Sequence, residues 1–94
     1  MTLSGLKGPV ILEIPADPAS LFIVRALVGR ISERLGFDSK ESDKLVLAID
    51  EACTNVIRHA YKDNSEGRII LTFILDPGFL EVQIRDFGCA ADPS

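Results

Sequence analysis

Glu51 and Asn55 stand four residues apart in the stretch DEACTNVIRHAY, Asp50 to Tyr61, and His59 follows Asn55 at the same interval. Arg58 comes three residues after Asn55. On a helix, residues four apart share one side, with Cβ atoms about 6 Å apart, so Glu51, Asn55 and His59 would project as a row. A carboxylate and a carboxamide so placed can do two jobs around a polyphosphate. The carboxamide oxygen is a neutral ligand for Mg2+, a hard ion that prefers oxygen and keeps several waters. The carboxylate can accept a proton from an attacking hydroxyl or water within hydrogen-bond reach. The same spacing also suits half-exposed residues on the flank of an amphipathic helix, and spacing alone leaves both readings open.

A second candidate lies in IRDFG, Ile84 to Gly88. Asp86 falls where a strand leaves its sheet, and a carboxylate there can accept a hydrogen bond from an exocyclic amino group. Gly88 would let the backbone approach a flat ring with no Cβ in the way. Aspartate and glycine are also ordinary turn residues, so this pair is weak when taken alone. Thr54 reads as hydrogen-bonding back into its own helix, Cys53 as core filler, and Cys89 as an incidental thiol of the turn.

Elements must hold these groups in place. PVILEIP, Pro9 to Pro15, alternates Val10, Leu12 and Ile14 against Ile11 and Glu13, and its prolines place it as an edge strand. Asp17 then caps a helix with Pro18 at its first position, running to about Leu35 and stopping at Gly36. Its core stripe is Leu21, Val24, Leu27, Val28, Ile31 and Leu35. Phe22, Ile23 and Ala26 widen that stripe, which leaves two readings: a helix buried on two sides within the chain, or a surface for a partner or a second copy. Ser39 or Ser42 caps the next helix, which runs from Lys40 or Asp43 to Ala60 and buries Leu45, Ile49, Ala52, Cys53, Val56 and Ala60. KDNSEG is a polar loop, and RIILTFIL and FLEVQIRD pair as a hairpin through DPG. In the hairpin, Ile70, Thr72 and Ile74 share one face and Leu71, Phe73 and Leu75 the other. Leu80, Val82 and Ile84 face together, with Glu81, Gln83 and Arg85 towards water.

The bulk composition bounds the rest. Ninety-four residues suit one domain, and 47% apolar with 26% charged residues is the balance of a globular chain. A net charge of -4 supplies no basic field for nucleic acid or anionic lipid. Arg25, Arg30 and Arg34, mixed with Glu33, read as a solvated face. Cys53 and Cys89 form no CxxC pair, and one histidine does not complete a zinc site with them. No run approaches the roughly 18 apolar residues of a membrane span. The expectation is a cytoplasmic protein with reduced thiols, no direct nucleic-acid partner and no membrane.

LAIDEACTNVIRHAY followed by VQIRDFGCAADPS resembles the N-box and first glycine box of the Bergerat, or GHKL, ATPase superfamily, the histidine kinase-like ATPases. The E-A-x-T-N-x-x-x-H-A-Y pattern is most similar to bacterial anti-sigma factor serine/threonine kinases. The resemblance runs the length of the chain in element order. It implies an α+β fold, a two-layer sandwich with a mostly antiparallel sheet and helices on one face. It implies ATP and Mg2+ as cofactors, with Glu51 as general base and Asn55 as magnesium ligand. It further implies that Asp86 reads the adenine amino group and that Gly88 lets the backbone close on the nucleotide. For Arg58 a phosphate contact stands beside a solvated side chain, and for His59 a phosphate-side role stands beside packing or capping near the helix end. The implied partners are a sigma factor, which is sequestered, and an antagonist protein, which is phosphorylated; a homodimer is the further partner that the wide apolar face of the first helix leaves open.

The sequence departs from the family pattern at Ala90, where a second glycine is usual; alanine excludes a backbone that needs positive φ. The glycine-rich lid, the last helix and the last strands would lie beyond Ser94. Residues 1–94 are therefore expected to be a single ATPase-like domain truncated after the first glycine box. A competing reading is a non-catalytic protein-interaction module on the same scaffold that has lost ATP binding. Ala90 and the ending favour it; the presence of Glu51 and Asn55 disfavours it, since a scaffold needs neither.

Overall fold

Period-two alternation builds the sheet. The computed structural model describes residues 8–60, 67–76 and 79–87; Tyr61, most of the polar loop after it, Pro77 and Gly78 of the hairpin turn, and Gly88, Cys89 and Ala90 lie outside them. Strands β1 (Val10–Pro15), β2 (Arg68–Asp76) and β3 (Phe79–Phe87) run antiparallel in the order β1-β2-β3. The proline-bracketed strand is thus an edge strand of the described sheet. Val10, Leu12 and Ile14 stand opposite Phe73, Leu71 and Ile69, which in turn stand opposite Val82, Ile84 and Asp86. Because side chains alternate between faces, these nine positions and their in-phase neighbours Leu75 and Leu80 share one face. Ile69, Leu71 and Phe73, in the middle strand, are completely buried there. On the other face Ile70, Thr72 and Ile74 are half-buried, while Glu81, Gln83 and Arg85 are exposed, as the alternation predicts.

Two helices cover the buried face. Asp17 starts the first: its carboxylate accepts a hydrogen bond from the Ala19 amide at 3.0 Å, over a 3-10 turn, Pro18–Ser20. Helix α1 (Leu21–Arg34) continues from that turn. It ends as expected at Gly36, whose φ is +94°. The Gly36 amide donates to the Glu33 carbonyl and the Phe37 amide to the Ser32 carbonyl, the paired bonds of a Schellman cap. Helix α2 (Ser39–Ala60) is capped by neither Ser39 nor Ser42. The Asp38 carboxylate takes that role, accepting from the Glu41 amide at 2.9 Å. Ser42 has another partner: its hydroxyl is buried against that of Ser32 on α1. Ser32 gives its single proton to the Gly29 carbonyl, so Ser42 is the donor between the two hydroxyls.

The core is one apolar cluster. Leu21, Val24, Val28 and Ile31 from α1 and Ile49 and Cys53 from α2 pack with Ile14, Ala16, Ile69, Leu71 and Phe73. Leu27, Leu35, Leu45, Val46, Val56, Ile57, Leu80, Val82 and Ile84 extend it. Phe22 and Ile23, by contrast, are 63% and 38% exposed, and Ala26 is exposed as well. Among the described residues nothing buries Phe22, Ile23 and Ala26, so the widened part of the stripe is not inside this fold. The helix meets one sheet face and α2, and that leaves its outward arc to water. This architecture is the α+β sandwich that the sequence resemblance implied.

Two predictions follow from the cap and the core. Nothing lies within 4 Å of a Cβ built on Gly36, so Gly36→Ala would cost only backbone strain. We expect it to lower stability in urea unfolding by about 1 kcal/mol, with the slope unchanged. Burial, with a smaller contribution from the Asp50 charge, pushes the Cys53 thiol from 9.0 to about 11. Below pH 9 both folded and unfolded chains hold this proton; above it the unfolded chain loses the proton first, so stability falls as pH rises from 9 to 11. The loss attributable to Cys53 should approach about 2–3 kcal/mol. It is read as the difference in pH slope between the parent chain and Cys53→Ala.

Candidate functional site

The orientation of α2 decides what its polar residues can reach. Its apolar stripe, Ile49, Ala52, Cys53 and Val56, turns towards the core. One flank is taken by α1: the Arg25 guanidinium meets the Asp50 carboxylate at 2.6 Å, and the Ser32–Ser42 pair joins the same two helices. At about 100° per residue, Glu51, Asn55 and His59 lie about 100°, 140° and 180° round the axis from Asp50, beyond the solvent side. The row therefore runs along the flank turned away from α1. All three residues are exposed, as is Arg58. Four-residue steps swing the row by about 40° each time, so it slants towards the sheet as it passes from Glu51 to His59.

Asp86 completes what the described residues contribute. It occupies the penultimate position of β3, paired opposite Ile69 and in phase with Leu80, Val82 and Ile84. Its carboxylate thus stands on the helix-covered face, yet it is exposed. Ile69 directly across from it is completely buried. The cover of the helices therefore ends between these two residues, and the seam between the layers opens at the end of β3. Helix α2 lies against β3, so the Glu51–Asn55 row and Asp86 belong to the same two neighbouring elements. Gly88, the remaining sequence candidate, is outside the described residues.

The neighbours of the row have structural roles. Thr54 is half-buried and donates its hydroxyl to the Asp50 carbonyl at 2.8 Å, back into its own helix as its type suggests. Cys53 is buried in the core. Arg25 is the residue that sequence reasoning misplaced: it is not part of a merely solvated basic face, because it bridges to Asp50, 25 residues away. No local signal marks that pair, since neither residue type nor spacing reveals a contact between two helices.

The chemistry of this donor set suits a metal carried on a phosphate ligand. Among the described residues no cluster of three or more His, Cys, Asp or Glu could hold a metal ion. A self-contained protein cage is therefore not what the row offers. One exposed carboxamide oxygen with an exposed carboxylate one turn away fits the sparse protein ligation of Mg2+, whose other positions go to phosphate and water. An adenine ring would need an accessible acceptor beside an apolar wall, and Asp86 next to Ile69 and Ile84 has that character.

A family model described as the histidine kinase-like ATPase domain matches residues 14–94. The chain is similar to the serine-protein kinase RsbW of Bacillus velezensis, with 35% identity over 81 residues, covering 86% of this chain and 51% of that protein. It is similar at 33% identity over 81 residues to the protein of the same name from Bacillus subtilis, with the same coverage. That of Bacillus pumilus is 34% identical over 83 residues, again 86% of this chain and 51% of the relative. The chain spans about half the length of the curated relatives it matches. The family match takes in α1, α2, β2 and β3 whole, and with them Glu51, Asn55 and Asp86. On sequence and architecture together, this chain belongs to the histidine kinase-like ATPase domain family.

Proposed function

We propose that this chain contributes the magnesium and adenine ends of an ATP site to a cytoplasmic anti-sigma regulatory serine/threonine protein kinase. The observation that carries the reading is the exposed Glu51–Asn55 row on the free flank of α2, beside the end of β3 where Asp86 is exposed at the open seam. The carboxamide oxygen of Asn55 would hold Mg2+, and Asp86 would accept a hydrogen bond from the adenine amino group. Gly88, two residues on, would let the backbone lie against the ring. Arg58 and His59, exposed around the C-terminal end of the row, face the phosphate side. When bound, Mg2+ neutralises charge on the transferring phosphoryl group. The protein's part is positioning and proton transfer: the Glu51 carboxylate takes the hydroxyl proton of the acceptor serine as its oxygen bonds to the γ-phosphorus and the bond to ADP breaks. The substrate protein would be the antagonist, and the sequestered partner a sigma factor. Phe22 and Ile23, exposed on α1, are the apolar residues such a partner or a second copy of the chain would cover.

Calorimetric titration of Mg-ATP into the chain tests the reading. Binding should weaken about ten-fold or more in Asn55→Ala, the scale of losing a metal-orienting contact. Glu51→Gln should retain binding and lose phosphoryl transfer, by about two orders of magnitude or more. Equal Mg-ATP affinity in the parent chain and Asn55→Ala would remove the metal-ligand assignment. Absence of heat at millimolar nucleotide, from a chain shown to be folded, would instead favour the interaction module without ATP.

A further inference from the structure

The contact between α1 and α2 is made of unusual materials for two packed helices. Gly29 faces Val46: a Cβ built there would sit 3.9 Å from the valine methyl, in ordinary van der Waals contact. Arg25 and Ser32 are seven residues apart on α1, and their partners Asp50 and Ser42 are eight apart on α2. Seven residues span about 10.5 Å and eight about 12 Å, so in this antiparallel pair the two contacts lie two turns apart along both helices. Apolar packing is non-directional and by itself tolerates rotation of a helix about its axis. Hydrogen bonds and charge-assisted pairs are directional and do not. Asp50 also immediately precedes Glu51, and its carbonyl receives the Thr54 hydroxyl beside Asn55.

From this we infer that Arg25 and Asp50 are positioning residues: with the Ser32–Ser42 pair as the second pin, their ion pair fixes the rotation of α2 and so directs Glu51 and Asn55 to the flank away from α1. Neither residue touches the ligand; the pair acts through the azimuth of the helix that carries the row. A rotation of one residue's worth, about 100°, would bring Glu51 towards the azimuth now held by Asp50, so even a fraction of it displaces both groups from a shared ligand. The role in ligand binding rests on the reading of Asn55 as magnesium ligand, but the orientation itself does not.

The test separates the two. Residual dipolar couplings of the α2 amides are measured on the nucleotide-free 94-residue chain, on Asp50→Asn, on Arg25→Gln, and on the exchanged variant Arg25→Asp/Asp50→Arg. The couplings should change in both single variants in the manner of a rotation about the helix axis and return towards parent values in the exchange, while β2 couplings stay fixed. Unchanged α2 couplings in folded single variants would overturn the inference, whatever the chain does with nucleotide. Where the parent binds Mg-ATP, Asp50→Asn should weaken it about five-fold, within the worth of a partly exposed ion pair. The same change placed on Asn55→Ala should add nothing further. Full additivity of the two substitutions would show that the pair stabilises the fold without acting through Asn55. A chain that binds no Mg-ATP defeats the proposed function but leaves the coupling measurement decisive for the clamp.

Discussion

The dry seam between the sheet and the two helices is the constraint on which the other features depend. Ile69, Leu71 and Phe73 in the middle strand are wholly removed from water, and they can be so only if α1 and α2 lay their apolar stripes over them. Each such side chain contributes about 1.5–3 kcal/mol when fully buried, far more than any exposed ion pair here. The seam therefore decides that α2 must face the sheet with Ile49 and Cys53. Once that face is committed, the helix retains two flanks and an outer surface. One flank is occupied by α1, and the other is left open for the proposed site.

That division keeps the site apart from the stability of the domain. Glu51, Asn55, Arg58, His59 and Asp86 are all exposed, and substitutions at exposed positions usually move stability by no more than about 0.5 kcal/mol. A loss of nucleotide binding or phosphoryl transfer on changing one of them can be read as a loss of function. Cys53 and Gly36 are the opposite case. One is a buried thiol that resists ionisation because its anion would be stranded among apolar neighbours. The other is a backbone position that only glycine occupies without strain. Changes there act on folding and reach the site only through it.

Polar contacts between the helices add what the seam lacks. Hydrophobic burial fixes which side of α2 is inside, within the width of a stripe; the Ser32–Ser42 hydroxyls and the Arg25–Asp50 pair can narrow that width to one azimuth. They lie on the side of α2 that faces α1, so the positioning of the row and the freedom of its flank arise from opposite sides of one helix.

Much of this was legible in the chain itself. Alternation marked Leu71, Phe73 and Leu75 against Ile70, Thr72 and Ile74, and Asp17 and Gly36 announced the limits of the first helix, because backbone sterics and hydrogen-bond need are local. The four-residue interval of Glu51 and Asn55 is likewise local, and it placed them on one side of α2 before any packing was known. The cap of α2 was read as Ser39 or Ser42 and falls to Asp38, since aspartate and serine can both cap a helix; Ser42 was claimed instead by a hydroxyl ten residues away. Phe22 and Ile23 extended an apolar pattern whose inside and outside are distinguishable only when the neighbours are in place. Sequence by itself determined the elements, their limits and the residues that share a side. Only the tertiary structure decided which flank of α2 stayed open, that Asp86 lies at the uncovered end of the seam, and that Arg25 pairs with Asp50. Those facts depend on contacts between segments far apart in the chain, and no local periodicity encodes them.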